Sequence, residues 1–426
     1  MLRNECCTGC WLAVDDSTFT TELEEIMPNK ARRFCLGCAV AVMPVFCALS
    51  IFAAPPSTAW TVTGDSGTIA LADDTGWTFS LTAAGQLTRT ASGSATALNF
   101  RNIPLPSGYS IKSLYSKSTS EPFMGKNAAI EELYWPSTLT AIADNSFREC
   151  SSLAVCEFPD GSLTRVGNYA FYKDSALVRI AVDAAHPVPD TVTYVGTYAF
   201  YQCALSGALK LPDVATISAS AFASATGLRE VELSGSSITS IGKGAFTSCT
   251  GVTNFTLNCP ALTSTGDQIC YKMTGLRRVV INCPLLTTLG ASIFSGATGL
   301  SHADINAPRL QSLGNYAFLN VPFQEVLIRS SVFVDSSSGA DYTQTVVDGM
   351  LSGVSAVASS TAKAKNCIVR VRKENLHDWM PYSSALADFE PDYAPSRTFG
   401  VWREGSRKAY LVSLPQETSG LSVHLY

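Results

Sequence analysis

One aromatic position recurs through the middle of this chain at a nearly constant interval. Phenylalanine fills it in eight copies and cysteine in one, and the intervals between copies are 24, 24, 29, 22, 24, 24, 24 and 24 residues. A fixed period of roughly 20 to 50 residues is typical of a solenoid, in which each repeat buries its apolar face against its neighbours. The sequence therefore predicts one continuous core rather than several domains. These anchor positions are Phe123, Phe147, Phe171, Phe200, Phe222, Phe246, Cys270, Phe294 and Phe318.

A short strand pattern follows each anchor. Apolar residues recur as LxxLxL from the sixth residue after the anchor, as in Leu228, Val231 and Leu233. This alternation predicts a short strand with one face directed inward. Proline follows three of these strands at the same offset, and we interpret it as a strand terminator because it cannot donate a hydrogen bond to a ladder. These prolines are Pro260, Pro284 and Pro308.

An apolar residue and a glycine precede five of the anchors, and a small residue stands directly before the aromatic in most copies, as in Val195, Gly196 and Ala199 before Phe200. We interpret the glycine as permitting a backbone turn that a side chain would resist. The anchor itself is predicted to fill the core where the chain reverses towards the next strand.

The combined pattern, apolar-Gly-x-x-Ala-Phe-x-x-Cys followed by LxxLxL, resembles the BspA-like branch of leucine-rich repeat surface proteins over residues 97–329. The resemblance implies a repeat solenoid with a parallel β-sheet on one face, short turns or helical segments on the other, and β-rich caps. It also implies display at the cell surface and, in some relatives, attachment to host matrix proteins. Three departures put the local register in question. They are Cys270 at an anchor, the insertion "DAAHPVPDTV" before Phe200, and the stretch "CALSGALKLP", in which the strand begins one residue later.

The N-terminal region carries a secretory signal pattern. Basic residues precede an apolar stretch from Phe34 to Phe52, and the small residue Ala53 follows. This order is typical of a signal peptide, and we expect translation to start at Met27 and cleavage to follow Ala53. A single membrane anchor is the first alternative, because the stretch is about long enough to span a bilayer. Twin-arginine export is the second.

The domain organisation follows from these signals. The six predicted segments are 1–26, an N-terminal extension that is wrongly assigned or disordered; 27–53, the signal peptide; 54–96, an N-terminal β cap; 97–329, the solenoid; 330–366, a Ser/Ala-rich excursion; and 367–426, a C-terminal cap or small β-module.

Eight of the fourteen cysteines lie beyond the signal segment. Most of them fill repeat positions that hold alanine or valine in other copies, so we expect them to pack as small buried hydrophobes. Cys259 and Cys283 lie one period apart and form the pair best placed for a disulfide.

Composition and motifs give no sign of catalysis, cofactors or nucleic acid. The net charge is −5, so a phosphate-backbone partner is not expected. Glu131, Glu132 and Glu157 approach a carboxylate pair, but we interpret them as a solvated edge. The histidines lie in different segments, which argues against a metal site, and they are His186, His302, His377 and His424.

The outward positions of the central strands form the candidate binding surface. Equivalent positions in consecutive repeats are expected to fall into straight columns across a sheet about 40 Å long, since parallel strands stack at about 4.8 Å. Arginine supplies planar donors suited to carboxylates on a protein or an acidic glycan. The candidate ligand-binding residues, called the charged face below, are Arg229, Glu230, Glu232, Asn254, Arg277, Arg278, His302 and Asp304.

These features predict a secreted or cell-surface, monomeric, adhesin-like protein without catalysis, which binds an extracellular protein or glycan. It would meet a membrane only through an uncleaved N-terminal segment. The alternative is an accessory or carbohydrate-active protein whose binding or hydrolytic activity lies in the C-terminal module, around Trp379, Trp402 and Tyr410.

Overall fold

The computed structural model describes residues 55, 57–64, 66–116, 122–159 and 161–321, together with the backbone of strands 325–329, 366–371, 398–404, 407–413 and 421–425. The chain divides into two compact units, Met1–Pro55 and Pro56–Tyr426. The predicted extension and signal peptide (1–53) lie outside the described residues, as does most of the predicted excursion (330–366).

The second unit is a parallel β-solenoid in which each repeat forms one rung with three sides. A longer strand is followed by a two-residue strand and then by a turn that carries the anchor. The strand pattern arises because apolar residues alternate with polar ones, so that Leu228, Val231 and Leu233 are fully buried while Glu230 and Glu232 are half-buried. Within the described residues, nine rungs have both strands, from the pair Ala97–Asn99 and Ser113–Leu114 to the pair His302–Asn306 and Ser312–Leu313.

The longer strands form two parallel sheets rather than the single sheet that was expected. The first contains β5 (Ala97–Asn99), β7 (Glu132–Tyr134), β9 (Val155–Phe158) and β11 (Arg179–Ala181). The second begins with β13 (Gly207–Leu211), β15 (Leu228–Leu233), β17 (Asn254–Leu257), β19 (Arg278–Asn282), β21 (His302–Asn306) and β23 (Glu325–Arg329).

The break between these two sheets is caused by the insertion that lengthens one repeat. Part of the insertion lies beside β11 and β13 and takes up their hydrogen bonds. The Ile180 amide of β11 donates to the Pro187 carbonyl at 2.7 Å, and the Ala208 amide of β13 donates to the Ala185 carbonyl at 3.2 Å. The backbone groups are therefore satisfied although β11 and β13 do not pair.

The two-residue strands form an uninterrupted parallel sheet of eight, from β8 to β22. Threonine hydroxyls reinforce the rung spacing beside it, since Thr164, Thr263 and Thr287 each donate to the main-chain carbonyl of the threonine one rung earlier. The strands are β8 (Ala141–Ile142), β10 (Arg165–Val166), β12 (Tyr194–Val195), β14 (Thr216–Ile217), β16 (Ser240–Ile241), β18 (Ser264–Thr265), β20 (Thr288–Leu289) and β22 (Ser312–Leu313).

The third side consists of turns, and the described part of the chain contains no helix. Each anchor amide donates to the carbonyl of the residue that precedes the next anchor, as Phe222 does to Ala245 at 2.9 Å. By the same rule Met124, whose amide donates to the Ser146 carbonyl at 2.7 Å, is the first anchor. The assignment of Phe123 to that position was wrong by one residue, although both side chains are buried.

Where a glycine lies four residues before the anchor, it is required for close packing, not for a turn. At Gly242, Gly290 and Gly314 a Cβ atom would lie 2.2 to 2.5 Å from backbone atoms of the preceding rung. None of these glycines has a positive φ. The left-handed conformation occurs instead two residues before and after the anchor, as at Ser220 and Ser224, so the interpretation of the glycine as a turn residue was wrong.

The core is a column of stacked anchor rings. Phe171, Phe200 and Phe222 stack at centroid distances of 5.3 and 5.2 Å with interplanar angles of 8° and 11°. Cys270 interrupts the column, and nearby Phe255 packs edge-on against Phe246 at 5.4 Å. The neighbouring strands carry valine in register with Phe255. The ring of Phe255 is larger than these valines, and we interpret it as filling space that the small anchor Cys270 leaves.

The first rung is covered by an antiparallel sheet that ends in the short strand β6 (Ser113–Leu114), which runs parallel to β4. Aromatic residues join this sheet to the solenoid: Phe79 meets Phe100 edge-on at 5.2 Å, and Phe100 stacks on Trp135 at 4.5 Å. These contacts bury the end of the core, which would otherwise face solvent. The four antiparallel strands are β1 (Trp60–Thr63), β2 (Thr68–Asp73), β3 (Thr78–Thr82) and β4 (Gln86–Ala91).

The C-terminal strands extend the second sheet beyond β23. The order of these strands is β23-β27-β24-β26-β25, and β27 pairs antiparallel with β23. Strands β25 and β26 form an antiparallel hairpin, with Glu404 opposite Arg407. The strands are β24 (Asn366–Val371), β25 (Thr398–Glu404), β26 (Arg407–Ser413) and β27 (Leu421–Leu425).

Candidate functional site on the strand-lined face

The register of β15 to β21 places four members of the charged face in one straight column. Glu230 lies opposite Asn254, Asn254 opposite Arg278, and Arg278 opposite His302. Neighbouring strands of a sheet are about 4.8 Å apart, so each side chain in the column lies beside the next. The structure therefore brings these four residues together as a row on the outer surface.

The remaining members lie on either side of this row. Arg229 and Arg277 directly precede Glu230 and Arg278 of this row, in rungs that are two repeats apart, and both are exposed. Glu232 and Asp304 share a second column but are separated by Thr256 and Val280. They are three strand spacings apart, or about 14 Å, and so do not act as a pair.

Local contacts hold several of these side chains in place. A Cβ atom at Gly251 would lie 2.7 Å from a guanidinium nitrogen of Arg229, so the arginine packs over this glycine. The Ser301 hydroxyl lies 2.9 Å from Nδ1 of His302. Lys210 Nζ lies 3.9 Å from a carboxylate oxygen of Glu232, at the long limit of an ion pair. Exposed pairs of this kind contribute little to stability, which leaves the acidic group available to a partner.

A ladder of asparagines borders the charged face. Asn282 donates its side-chain amide to Asn258 at 3.1 Å, and Asn306 donates to Asn282 at 2.8 Å. The three residues occupy the same position in successive rungs, within the repeated motif Asn-x-Pro. We interpret the ladder as a support that fixes the edge of the sheet.

Two of the three carboxylates that approached a catalytic pair in sequence, Glu132 and Glu157, are held in structural contacts. Glu157 is buried and forms ion pairs with both Arg101 and Arg179, the second at 2.7 Å. Glu132 accepts a hydrogen bond of 2.7 Å from the Tyr134 hydroxyl. Burial, together with this contact, raises the pKa of Tyr134 well above its ordinary value. The interpretation of Glu157 as part of a solvated edge was therefore wrong.

Histidines and cysteines form no metal centre in the described part of the chain, where no three His, Cys, Asp or Glu side chains are grouped to hold an ion. His186 pairs instead with Asp183 at 2.9 Å. Cys259 and Cys283 are buried thiols on successive rungs, and a hydrogen bond between them, together with burial, raises the pKa of Cys259.

A cluster of four tyrosines on the turn side was not predicted from the sequence. Tyr169 stacks on Tyr198 at 5.3 Å and Tyr172 on Tyr201 at 5.2 Å, while the rings within each rung meet edge-on. We call these four residues the tyrosine array. The signal was the motif Tyr-Ala-Phe-Tyr, which occurs in two successive repeats.

The alternative function, binding or hydrolysis by the C-terminal module, was assigned to Trp379, Trp402 and Tyr410. Trp379 lies outside the described residues. Trp402 and Tyr410 belong to β25 and β26, of which only the backbone is described. Among the residues that the structure describes, no helix is long and apolar enough to cross a membrane.

Comparison with known families gives one match. The profile described as "BspA type Leucine rich repeat region" matches residues 116–186, 184–301 and 270–338, with six copies. Together these ranges span just over half of the chain. No curated protein matches the sequence.

Solved structures of bacterial leucine-rich repeat proteins are similar to this chain. The leucine-rich repeat protein of T. pallidum is 19% identical, with a TM-score of 0.37, over 53% of this chain and 87% of that chain. A leucine-rich cell surface protein from Faecalibacterium prausnitzii A2-165 is 14% identical, with a TM-score of 0.33, over 61% and 80%. The pneumococcal vaccine antigen PcpA is 14% identical, with a TM-score of 0.28, over 70% and 97%.

Proposed function

The chain belongs to the BspA-type leucine-rich repeat family, and we propose that it is an exported surface protein that binds an extracellular protein or glycan. The ligand contacts the charged face, and the protein acts as a monomer without catalysis. Fold alone says little about function, so the proposal rests on the surface chemistry of the strands.

The observation that carries the proposal is the row of Glu230, Asn254, Arg278 and His302. Four different polar side chains are held at one spacing by the backbone of a parallel sheet. An extended partner with alternating charges can contact several of them at once without any rearrangement of the protein. Such preorganisation lowers the entropic cost of binding, and the pattern of charges supplies specificity.

Three arginines supply the positive part of this pattern. Arg229, Arg277 and Arg278 are exposed, and none forms an ion pair with another described residue. A planar guanidinium binds a carboxylate or sulfate through two parallel hydrogen bonds. The partner that fits best therefore presents acidic groups along an extended surface.

Replacing Arg229, Arg277 and Arg278 together with serine is expected to weaken ligand binding at least about tenfold, or 1.4 kcal/mol. The exposed side chains contribute little to folding, so the melting temperature is expected to stay unchanged. The mature protein is first screened against a panel of matrix proteins and glycans, and affinity for the ligand found is then compared by calorimetry.

A charge-matched control separates a specific site from general electrostatics. Serine at Lys243, Lys272 and Arg309 also removes three positive charges, but from exposed positions outside the charged face. This control is expected to bind within about twofold of the unmodified protein. Equal affinity of a folded triple arginine variant and the unmodified protein would place the site elsewhere.

Export is expected to yield a mature chain that begins at Ala54. The reason is the basic, apolar and small-residue order that precedes this residue. Intact-mass analysis of protein recovered from the cell exterior measures the start directly. A mature form that retains Cys6, Cys7 and Cys10 would contradict this prediction.

A further inference from the structure

The tyrosine array is covered on only one of its two sides. On the side of the preceding rung, the Arg148 guanidinium lies 5.7 Å from the ring centroid of Tyr169 and 5.0 Å from that of Tyr172. Tyr198 and Tyr201 then stack on these two rings. One end of the array is therefore closed by a cation.

The other side has no such cover. The next rung carries Ser220 and Ala223 at the positions of Tyr198 and Tyr201, as the matching hydrogen bonds of the turns show. No ring or cation among the described residues stacks on this side of Tyr198 and Tyr201. The rings of Tyr198 and Tyr201 therefore present an open face above the small side chains of the next rung.

The tyrosine hydroxyls and the nearby charge of Lys173 define what this open face can bind. Within the described part of the chain, none of the four array hydroxyls forms a hydrogen bond to a protein group. Lys173 is exposed, lies 5.2 Å from the Tyr172 ring, and has no carboxylate partner among the described residues. The surface therefore combines ring faces, unpaired hydroxyls and one available cation.

A sugar polymer matches this combination better than a protein does. Sugar rings have apolar C–H faces for the tyrosine rings and hydroxyls for the tyrosine hydroxyls. A protein partner would favour an apolar centre around the aromatic residues. The large apolar side chains exposed in the described residues are Tyr115, Leu285 and Tyr316, none of which belongs to the array.

We propose that the tyrosine array is a second binding site, separate from the charged face, for an acidic polysaccharide. Its sugar rings pack on Tyr198 and Tyr201, and its carboxylate or sulfate groups contact Lys173. The site lies on the turn side of the rungs, so it is used independently of the strand-lined face.

The test uses the variant Tyr198→Ser with Tyr201→Ala, which copies the residues of the next rung and so preserves the fold. Three probes are titrated by calorimetry: heparin oligosaccharides, which carry sulfate and carboxylate; hyaluronan oligosaccharides, which carry carboxylate alone; and neutral dextran oligosaccharides. The unmodified protein is expected to bind at least one acidic probe, and to bind it at least tenfold more tightly than dextran. The double variant is expected to lose at least about tenfold in that affinity.

Tyr271→Ala is the matched control, because Tyr271 occupies the Tyr201 position three rungs later and also has a lysine, Lys272, 5.1 Å from its ring. It stands outside the array and is expected to leave binding within twofold. In a protein that already carries serine at the three arginines of the charged face, the double variant is expected to cause the same loss of affinity, because the two sites are separate.

The proposal is overturned if neither acidic probe binds, or if the double variant retains full affinity while its melting temperature is unchanged. It is also overturned if the double variant loses binding to a matrix protein such as fibronectin while neither polysaccharide binds the unmodified protein, since the array would then serve a protein partner. Heparin binding without hyaluronan binding would support the proposal and assign the contact to sulfate.

Discussion

Replacing Gly290 with alanine is expected to lower the free energy of unfolding by about 3 kcal/mol or more. The new Cβ atom would lie 2.2 Å from the carbonyl oxygen of Gly266 and 2.7 Å from the amide nitrogen of Asp267. Both are backbone atoms of the preceding rung, so no side chain can rotate away to relieve the overlap. The rungs on either side would have to separate. Chemical denaturation measures the loss.

Alanine at Gly108 is the control for this interpretation. Gly108 has a φ of +87° and no atom within 4 Å of an added Cβ, so this substitution costs only the backbone strain, about 1 to 2 kcal/mol. A smaller loss at Gly290 than at Gly108 would show that backbone conformation, and not rung contact, governs the glycines of the repeat.

Replacing Asp174 with cysteine is expected to stabilise the protein at neutral pH by about 1 to 3 kcal/mol. Asp174 is fully buried, and its Oδ2 atom has no hydrogen-bond partner among the described residues. Other rungs hold Cys150, Cys203 and Cys249 at this position, where the thiols of Cys203 and Cys249 donate to a carbonyl of the preceding rung at 3.0 Å. The variant copies an arrangement that the fold already contains.

The pH dependence of this gain has a definite sign. Burial raises the pKa of Asp174 in the folded state well above its ordinary value. As the pH rises above the unfolded pKa, the unfolded chain releases this proton while the folded chain retains it, so the native protein loses stability. The advantage of the cysteine variant is therefore expected to be smallest near pH 4 and to increase towards neutral pH. Thermal unfolding between these limits measures the difference.

Asp267→Cys is the control for Asp174. Asp267 is exposed and accepts the Ala291 amide at 2.8 Å, as Asp174 accepts the Cys150 amide at 2.8 Å. Loss of that bond is expected to destabilise the exposed site by about 1 kcal/mol. If Asp174→Cys were also destabilising at neutral pH, burial would not be the dominant cost at that site.

The repeat architecture could be predicted because the same pattern of apolar residues recurs in every repeat of the sequence. Each rung needs one large apolar residue at the turn and alternating apolar residues in the strand. Both features recur at the same interval along the chain. The charged face was predicted for the same reason, since Glu230, Asn254, Arg278 and His302 keep one offset from their anchors, and parallel pairing turns equal offsets into a column. Whether this column binds a ligand stays a prediction.

Errors arose where contacts between rungs, rather than within one, decide the outcome. The choice between Phe123 and Met124 depends on which amide faces the next rung, and both residues are apolar. Glycine is compatible with either a turn or a close approach, and only the distances to the preceding rung distinguish them. The break between β11 and β13 could not be foreseen, because the insertion's carbonyls replace those of a strand.

The sequence by itself determined the solenoid, its period and the direction of each strand residue, because these follow from local alternation and from spacing along the chain. The tertiary structure decided which groups from different rungs meet: the arginines that enclose Glu157, the buried carboxyl of Asp174, and the tyrosine array with its open end. These contacts join residues about 22 or more positions apart, and their consequences depend on burial and on distances between side chains, which the repeat pattern does not encode.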